Sequence, residues 1–113
     1  MPALRNADRA VIDPRKLTDY VLDPNSPQGR HKARVFKRAL GYDRSNHLGL
    51  LASIRKGILT QEAWMIGTTA HGELWQVDLP IIGPGGAASV RTGWTPEEGS
   101  DVPRLTTAYV RAA

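Results

Sequence analysis

Alternation in the second half of the chain limits its possible folds more than any other feature. Trp75, Val77, Leu79 and Ile81 alternate with Gln76, Asp78 and Pro80. A period of two is the pattern of a strand with one buried face. Gly83-Pro84-Gly85-Gly86 then reads as a turn, since glycine reaches positive φ and proline fixes its own. Beyond it Ala88, Val90, Thr92 and Trp94 alternate with Ser89, Arg91 and Gly93. After a polar loop, Leu105, Thr107 and Tyr109 alternate with Arg104, Thr106 and Ala108. A hairpin plus one further strand places Arg91, both threonines and Tyr109 on one small sheet. Glu62–Thr69 (EAWMIGTT) predicts a strand ahead of these, with Trp64 and Trp75 expected in the core on the helix-facing side.

The first half reads as helical. Val11 and Ile12 form a short edge strand or anchor the entry, and Asp13-Pro14 is an N-cap with proline at the first helical position. A short helix over about Arg15–Leu22 should turn Leu17, Tyr20 and Val21 inward. The turn-rich stretch Asp23–Gly29 is a loop. The best-marked helix, GRHKARVFKRA over Gly29–Ala39, ends at Leu40-Gly41. Its apolar stripe is Ala33, Phe36 and Leu40. Ser45 or Asn46 caps a third helix, His47–Lys56, whose period runs through Leu48, Leu51, Ala52 and Ile54, and Gly57 closes it. The expected architecture is α+β, with about three N-terminal helices packed on a four-stranded antiparallel β-meander in one domain over 1–113. The helical half spans about 13–57 and the sheet half about 62–110.

The 113 residues are 41% hydrophobic and 23% charged, ordinary for a globular domain. Cysteine is absent, which excludes disulfides and thiolate metal sites and makes a reducing cytoplasm the expected compartment. The opening MPALRNADRAVIDP has no continuous apolar run, so no secretory leader is expected. No stretch approaches the roughly 20 apolar residues of a membrane span, so no membrane partner is expected. Charge is uneven: residues 1–57 hold 12 Lys/Arg against 5 Asp/Glu, and residues 58–113 hold 3 against 6. The basic half is either a solvated helical face or a surface for a polyanion or an acidic protein.

Lys32-Ala33, Phe36 and Leu40-Gly41, then Gly83-Pro84 with Gly86, Thr92 with Trp94, and Pro103-Arg104-Leu105 with Thr107-Ala108-Tyr109 form a set. Together they resemble a small bacterial domain family of unassigned function, over about Leu17 to Tyr109. In element order that family is similar to ribonuclease toxins of the barnase–EndoU–colicin–RelE type. The resemblance implies N-terminal helices on a four-stranded sheet, metal-free RNA cleavage, and pairing with an antitoxin or immunity protein.

A metal-free ribonuclease activates a ribose 2′-OH, stabilises a phosphorane and protonates a leaving 5′-oxygen. His or Glu suits the proton transfers, and Arg or Lys suits the charge. Arg91 reads as a phosphate clamp, a solvated outer-face residue, or an ion pair with Asp78 on the neighbouring strand. His31 and Lys32 open the basic helix, where backbone N–H groups favour phosphate; His31 is also an ordinary surface residue. The family pattern adds weight to Lys32 and Thr107. Arg34 and Arg38 share a helix flank, and Lys37 and Arg38 also complement the helix dipole. Trp94 is a base-stacking platform or a core anchor. Tyr109 stacks, donates a hydrogen bond or packs. His47 and His71 read as bland. No histidine spacing or carboxylate cluster suggests a metal, and no cofactor is expected.

The leading expectation is a metal-independent endoribonuclease toxin held in check by an acidic antitoxin or immunity protein. His31, Lys32, Arg91 and Thr107 are its catalytic candidates, and Arg34, Arg38, Trp94, Arg104 and Tyr109 its RNA-binding ones. The alternatives are a non-catalytic protein-interaction module and a nucleic-acid-binding domain without chemistry.

Overall fold

A computed structural model describes residues 2–27 and 29–111. Three helical segments precede a four-stranded sheet, in the α+β order that the residue pattern predicts. They are α1 (Pro14–Lys16), which runs on as a π-helical turn (Leu17–Val21), α2 (Arg30–Leu40) and α3 (His47–Gly57). The strands are β1 (Ala63–Thr69), β2 (Gly72–Gly83), β3 (Gly86–Pro96) and β4 (Pro103–Val110), paired antiparallel in the order β1-β2-β3-β4.

Local chemistry sets the helix ends. Asp13 caps α1, its carboxylate accepting from Arg15 N at 3.0 Å, with Pro14 at the first helical position. The predicted single helix over Arg15–Leu22 instead widens, Leu22 N–H donating five residues back to Leu17 O at 2.8 Å. Leu17 and Val21 are buried, while Tyr20 is only half-buried beneath Lys16 Nζ. In α2 the stripe Ala33, Phe36 and Leu40 is buried as its spacing predicts. Gly41 (φ 78°) ends the helix in the left-handed conformation, and Gly85 N–H donates to Leu40 O at 2.9 Å. The Gly83–Gly86 turn therefore does more than reverse the chain: it caps α2. A Cβ on Gly41 would sit 2.6 Å from Gly85 N.

In α3 the inward face differs from the expected one. Leu50 and Ile54 are buried, and Leu48 and Ala52 are exposed. Leu50, Ile54 and Ile58 fall four residues apart and form a longer branched stripe against β2 than Leu48 with Ala52 can offer. Asn46 stands at the N-cap of α3 as one of the two expected residues, but its side chain makes no cap bond there. It serves instead the preceding 3-10 turn (Arg44–Asn46), which Asp43 starts through a capping box with Asn46.

The sheet's inner face supplies Val77, Leu79, Ile81, Val90, Trp94, Leu105 and Ala108 to the core shared with Leu17, Phe36, Leu40, Leu50 and Ile54. Fully burying each large apolar side chain contributes about 1.5–3 kcal/mol. Two strand expectations need correction. Trp64 pairs with Gln76, so it lies on the opposite face and is exposed; Trp75 is only half-buried at the core's margin. In β4 a register shift at Gly93/Trp94 makes Thr106 an extra residue. Leu105 faces the core, but beyond the bulge Ala108 is buried there, while Thr107 and Tyr109 turn outward. The N-terminal segment spans the sheet's edges, Ala3 bridging Glu62 and Val11 bridging Arg104 in parallel, with Ile12 buried. Val11 thus pairs as an edge and Ile12 anchors.

Candidate functional site

Strand register assembles one polar row on the sheet face turned away from the core. Gly83 opposes Gly86 at the hairpin's closed end, and counting back along both strands sets Asp78 opposite Arg91. Across the next pair Arg91 opposes Tyr109, and one step on Gly93 opposes Thr107. Arg91 grips Asp78 with both arms of its fork, Nε to Oδ1 at 2.9 Å and Nη2 to Oδ2 at 3.1 Å. Arg111 Nη1 adds a third bond to Oδ2 at 3.2 Å. The Asp78 carboxylate, and after it the Tyr109 hydroxyl, hold the Arg91 pKa above its already high ordinary value. Arg91 is thus a permanent cation locked in a planar, bidentate pose.

Helix α2 closes one side of the row. Lys32 Nζ lies 5.2 Å from the Tyr109 ring centroid, within cation–π range. Gly93 contributes no side chain, and Thr107 and Thr106 crowd over it. A Cβ there would meet Thr107 Cγ2 at 2.9 Å and Thr106 Oγ1 at 3.2 Å. The outward face so formed carries three cations (Lys32, Arg91, Arg111), one carboxylate, a phenol and a threonine hydroxyl, with the exposed Trp64 on the same face beside Gln76. Such a surface can hold a phosphate through its cations and stack or hydrogen-bond a base or sugar beside it.

Lys32, Arg91, Thr107 and Tyr109, singled out in the sequence, meet here. The other candidates do not. Helical geometry turns Arg34 and Arg38 to the opposite flank of α2 from Lys32. The His31 side chain is exposed and makes no hydrogen bond or ion pair among the described residues. Arg104 sits toward the far end of β4, 3.4 Å from Glu97. Trp94 is not a stacking platform: it is wholly buried, its Nε1 donating to Thr92 Oγ1 at 2.8 Å. Thr92 in turn donates to Val77 O at 2.7 Å, so this buried polar pair is satisfied by the core. His47 and His71 are held in local turn contacts, with Arg44 O and Thr69 Oγ1 respectively.

Sequence reasoning missed Arg111 and the exposure of Trp64. The hairpin count that pairs Asp78 with Arg91 also fixes which face each β2 residue occupies, so Trp64 was recoverable once its pairing with Gln76 was known. Arg111 follows the last strand, where alternation has ended, and carried no signal.

No helix among the described residues is long and apolar enough to cross a membrane. Comparison with known families matches residues 3–112 to a domain of unknown function, DUF6883. No curated protein and no solved structure matches the chain.

Proposed function

The chain belongs to the DUF6883 family, and we propose that it binds RNA across the outward face of its sheet and cleaves it without a metal, as a bacterial toxin acting in the cytoplasm under the control of an acidic partner. The observation that carries the reading is the convergence of Lys32, Arg91, Thr107 and Tyr109, from one helix and two strands, on one accessible face. In this reading the 2′-oxygen attacks phosphorus and loses its proton. A 2′,3′-cyclic phosphate forms, and the 5′-oxygen leaves with a proton. Lys32 and Arg91 offset the phosphorane's added negative charge, the step where electrostatic stabilisation contributes most. The Thr107 and Tyr109 hydroxyls hold phosphate or ribose oxygens. His31, one residue before Lys32 in the first turn of α2 and exposed beyond the row, is the proton-transfer candidate in this reading, met by RNA that runs off the sheet onto the helix.

A second reading, RNA binding without cleavage, is favoured by one specific contact. Asp78 already occupies both arms of the Arg91 fork, so phosphate must compete with an internal carboxylate. The two readings separate in one experiment. Purified protein is incubated with end-labelled RNA in EDTA and resolved on a denaturing gel, beside Lys32→Ala and His31→Ala. Fragments that form in EDTA and disappear in both variants support cleavage at this face. Intact RNA with salt-sensitive retention, lost in Lys32→Ala alone, supports the binding reading. RNA neither cut nor bound removes both.

A further inference from the structure

On the flank of α2 turned away from Lys32 lies a groove of about 490 Å³. Its walls are Arg34, Lys37 and Arg38 on the helix and Arg44 on the facing 3-10 turn, and its floor is aliphatic, from Leu22, Pro24 and Ala33. Of its cations Lys37 is paired, with Asp43 at 2.9 Å. Arg34, Arg38 and Arg44 make no ion pair among the described residues. Arg34 and Arg38 are exposed and stand one helical turn apart, about 5–6 Å between Cβ atoms.

We propose that this groove is the docking site for an acidic, amphipathic segment of a partner protein. Three unpaired guanidinium forks match carboxylates that recur every turn of a helix. The aliphatic floor matches an apolar side chain on the segment's same face. The groove suits protein better than nucleic acid, because no aromatic or histidine side chain lines it. Single strands depend on stacking platforms as well as charge, and those rings, Trp64 and Tyr109, lie on the sheet face instead. The inference deepens the proposed control by an acidic partner, and rests on it. It adds that the partner engages a surface separate from the RNA face, so that partner and RNA do not compete for the same cations.

The probe is a labelled synthetic helical peptide with Glu and Leu repeating at i and i+4, followed by fluorescence anisotropy. A scrambled peptide of the same composition and a single-stranded RNA oligonucleotide run beside it. Binding of the patterned peptide should fall at least about tenfold in Arg34→Gln/Arg38→Gln and in Arg44→Gln, and should weaken with salt. The scrambled peptide should bind more weakly, and RNA affinity should be unchanged in these variants. These exposed substitutions should leave the circular dichroism melt in place, which separates lost binding from lost fold. Lys32→Ala should retain the peptide, so failure of the ribonuclease reading leaves this result standing. Peptide affinity unchanged in the arginine variants, equal binding of the scrambled sequence, or a loss of RNA rather than peptide binding would each overturn the proposal.

Discussion

The sheet face and the outer flank of α2 hold cations in opposite ways. On the sheet, Arg91 and Arg111 share one carboxylate, and Lys32 rests over a ring. On the helix flank, Arg34, Arg38 and Arg44 line the groove without an ion pair among the described residues, and Asp43, which lines it too, pairs with Lys37. The half-buried sheet face cannot leave a guanidinium unpaired without a desolvation cost. The exposed helix flank can, because water solvates each arginine there. A satisfied cluster is preorganised, and a ligand must displace or share its contacts. An unsatisfied one gains from every carboxylate that arrives, but that carboxylate must first order the side chains it meets.

The sharpest way to break this contrast is beneath the sheet row. Thr92→Val removes the acceptor of Trp94 Nε1 and leaves a donor stranded in the core. A buried unsatisfied group costs about 1–3 kcal/mol, so the melting temperature should fall by several degrees and the sheet face should loosen with it. Arg38→Gln should stay within about 0.5 kcal/mol of the native chain by the same thermal melt. Equal effects at the two positions would mean that the helix flank is as tightly built as the sheet.

A smaller change tests the locking itself. Asp78→Ala frees Arg91 and Arg111 together. RNA affinity should rise by about fivefold at low salt, with a steeper dependence on salt, because an internal competitor has gone and another cation is available. The melt should fall at the same time. If RNA binding falls as well, Asp78 orients Arg91 for phosphate rather than competing with it.

How far the residues alone could reach follows the same division. The core was legible because it is periodic: Ala33, Phe36 and Leu40 at helical spacing, Val77 and Leu79 at strand spacing, and all five are buried. Periodicity failed at Thr106, where one inserted residue inverts every side chain after it; nothing local distinguishes that threonine from its neighbour. It failed at Leu48 because the choice between two stripes on α3 depends on where β2 lies. The candidate site was half legible. Asp78 opposite Arg91 follows from the position of the hairpin turn, and was one of three readings of that arginine. The parting of Lys32 from Arg34 and Arg38 follows from helical spacing within α2; the meeting of Lys32 with Tyr109 needed the docking angle of α2 on β4, which long-range packing alone decides. The second role of the Gly83–Gly86 turn, as a cap on α2, was hidden for the same reason.

The finest test of the contrast lies at Asp43, the one carboxylate among the described residues that line the basic groove. Bonds from Ser45, then from Lys37, hold it from the usual 3.8 down to about 2. A carboxyl group whose folded pKa lies below its unfolded one stabilises the fold above the unfolded value. It loses that contribution as pH falls through the folded one. The window here runs from 3.8 down to about 2. Asp43→Asn keeps a competent cap for the 3-10 turn, since asparagine caps as well as aspartate, but gives up the ion pair with Lys37. The melting temperature should drop slightly at neutral pH, as expected for an exposed pair, and the variant's acid limb should be flatter than the native chain's between those two pH values. Lys37, released, joins the three arginines. The patterned acidic peptide should then bind about two- to threefold more tightly, while RNA binding at the sheet stays put. An unchanged peptide affinity would show that the groove counts the arginines and not its total charge.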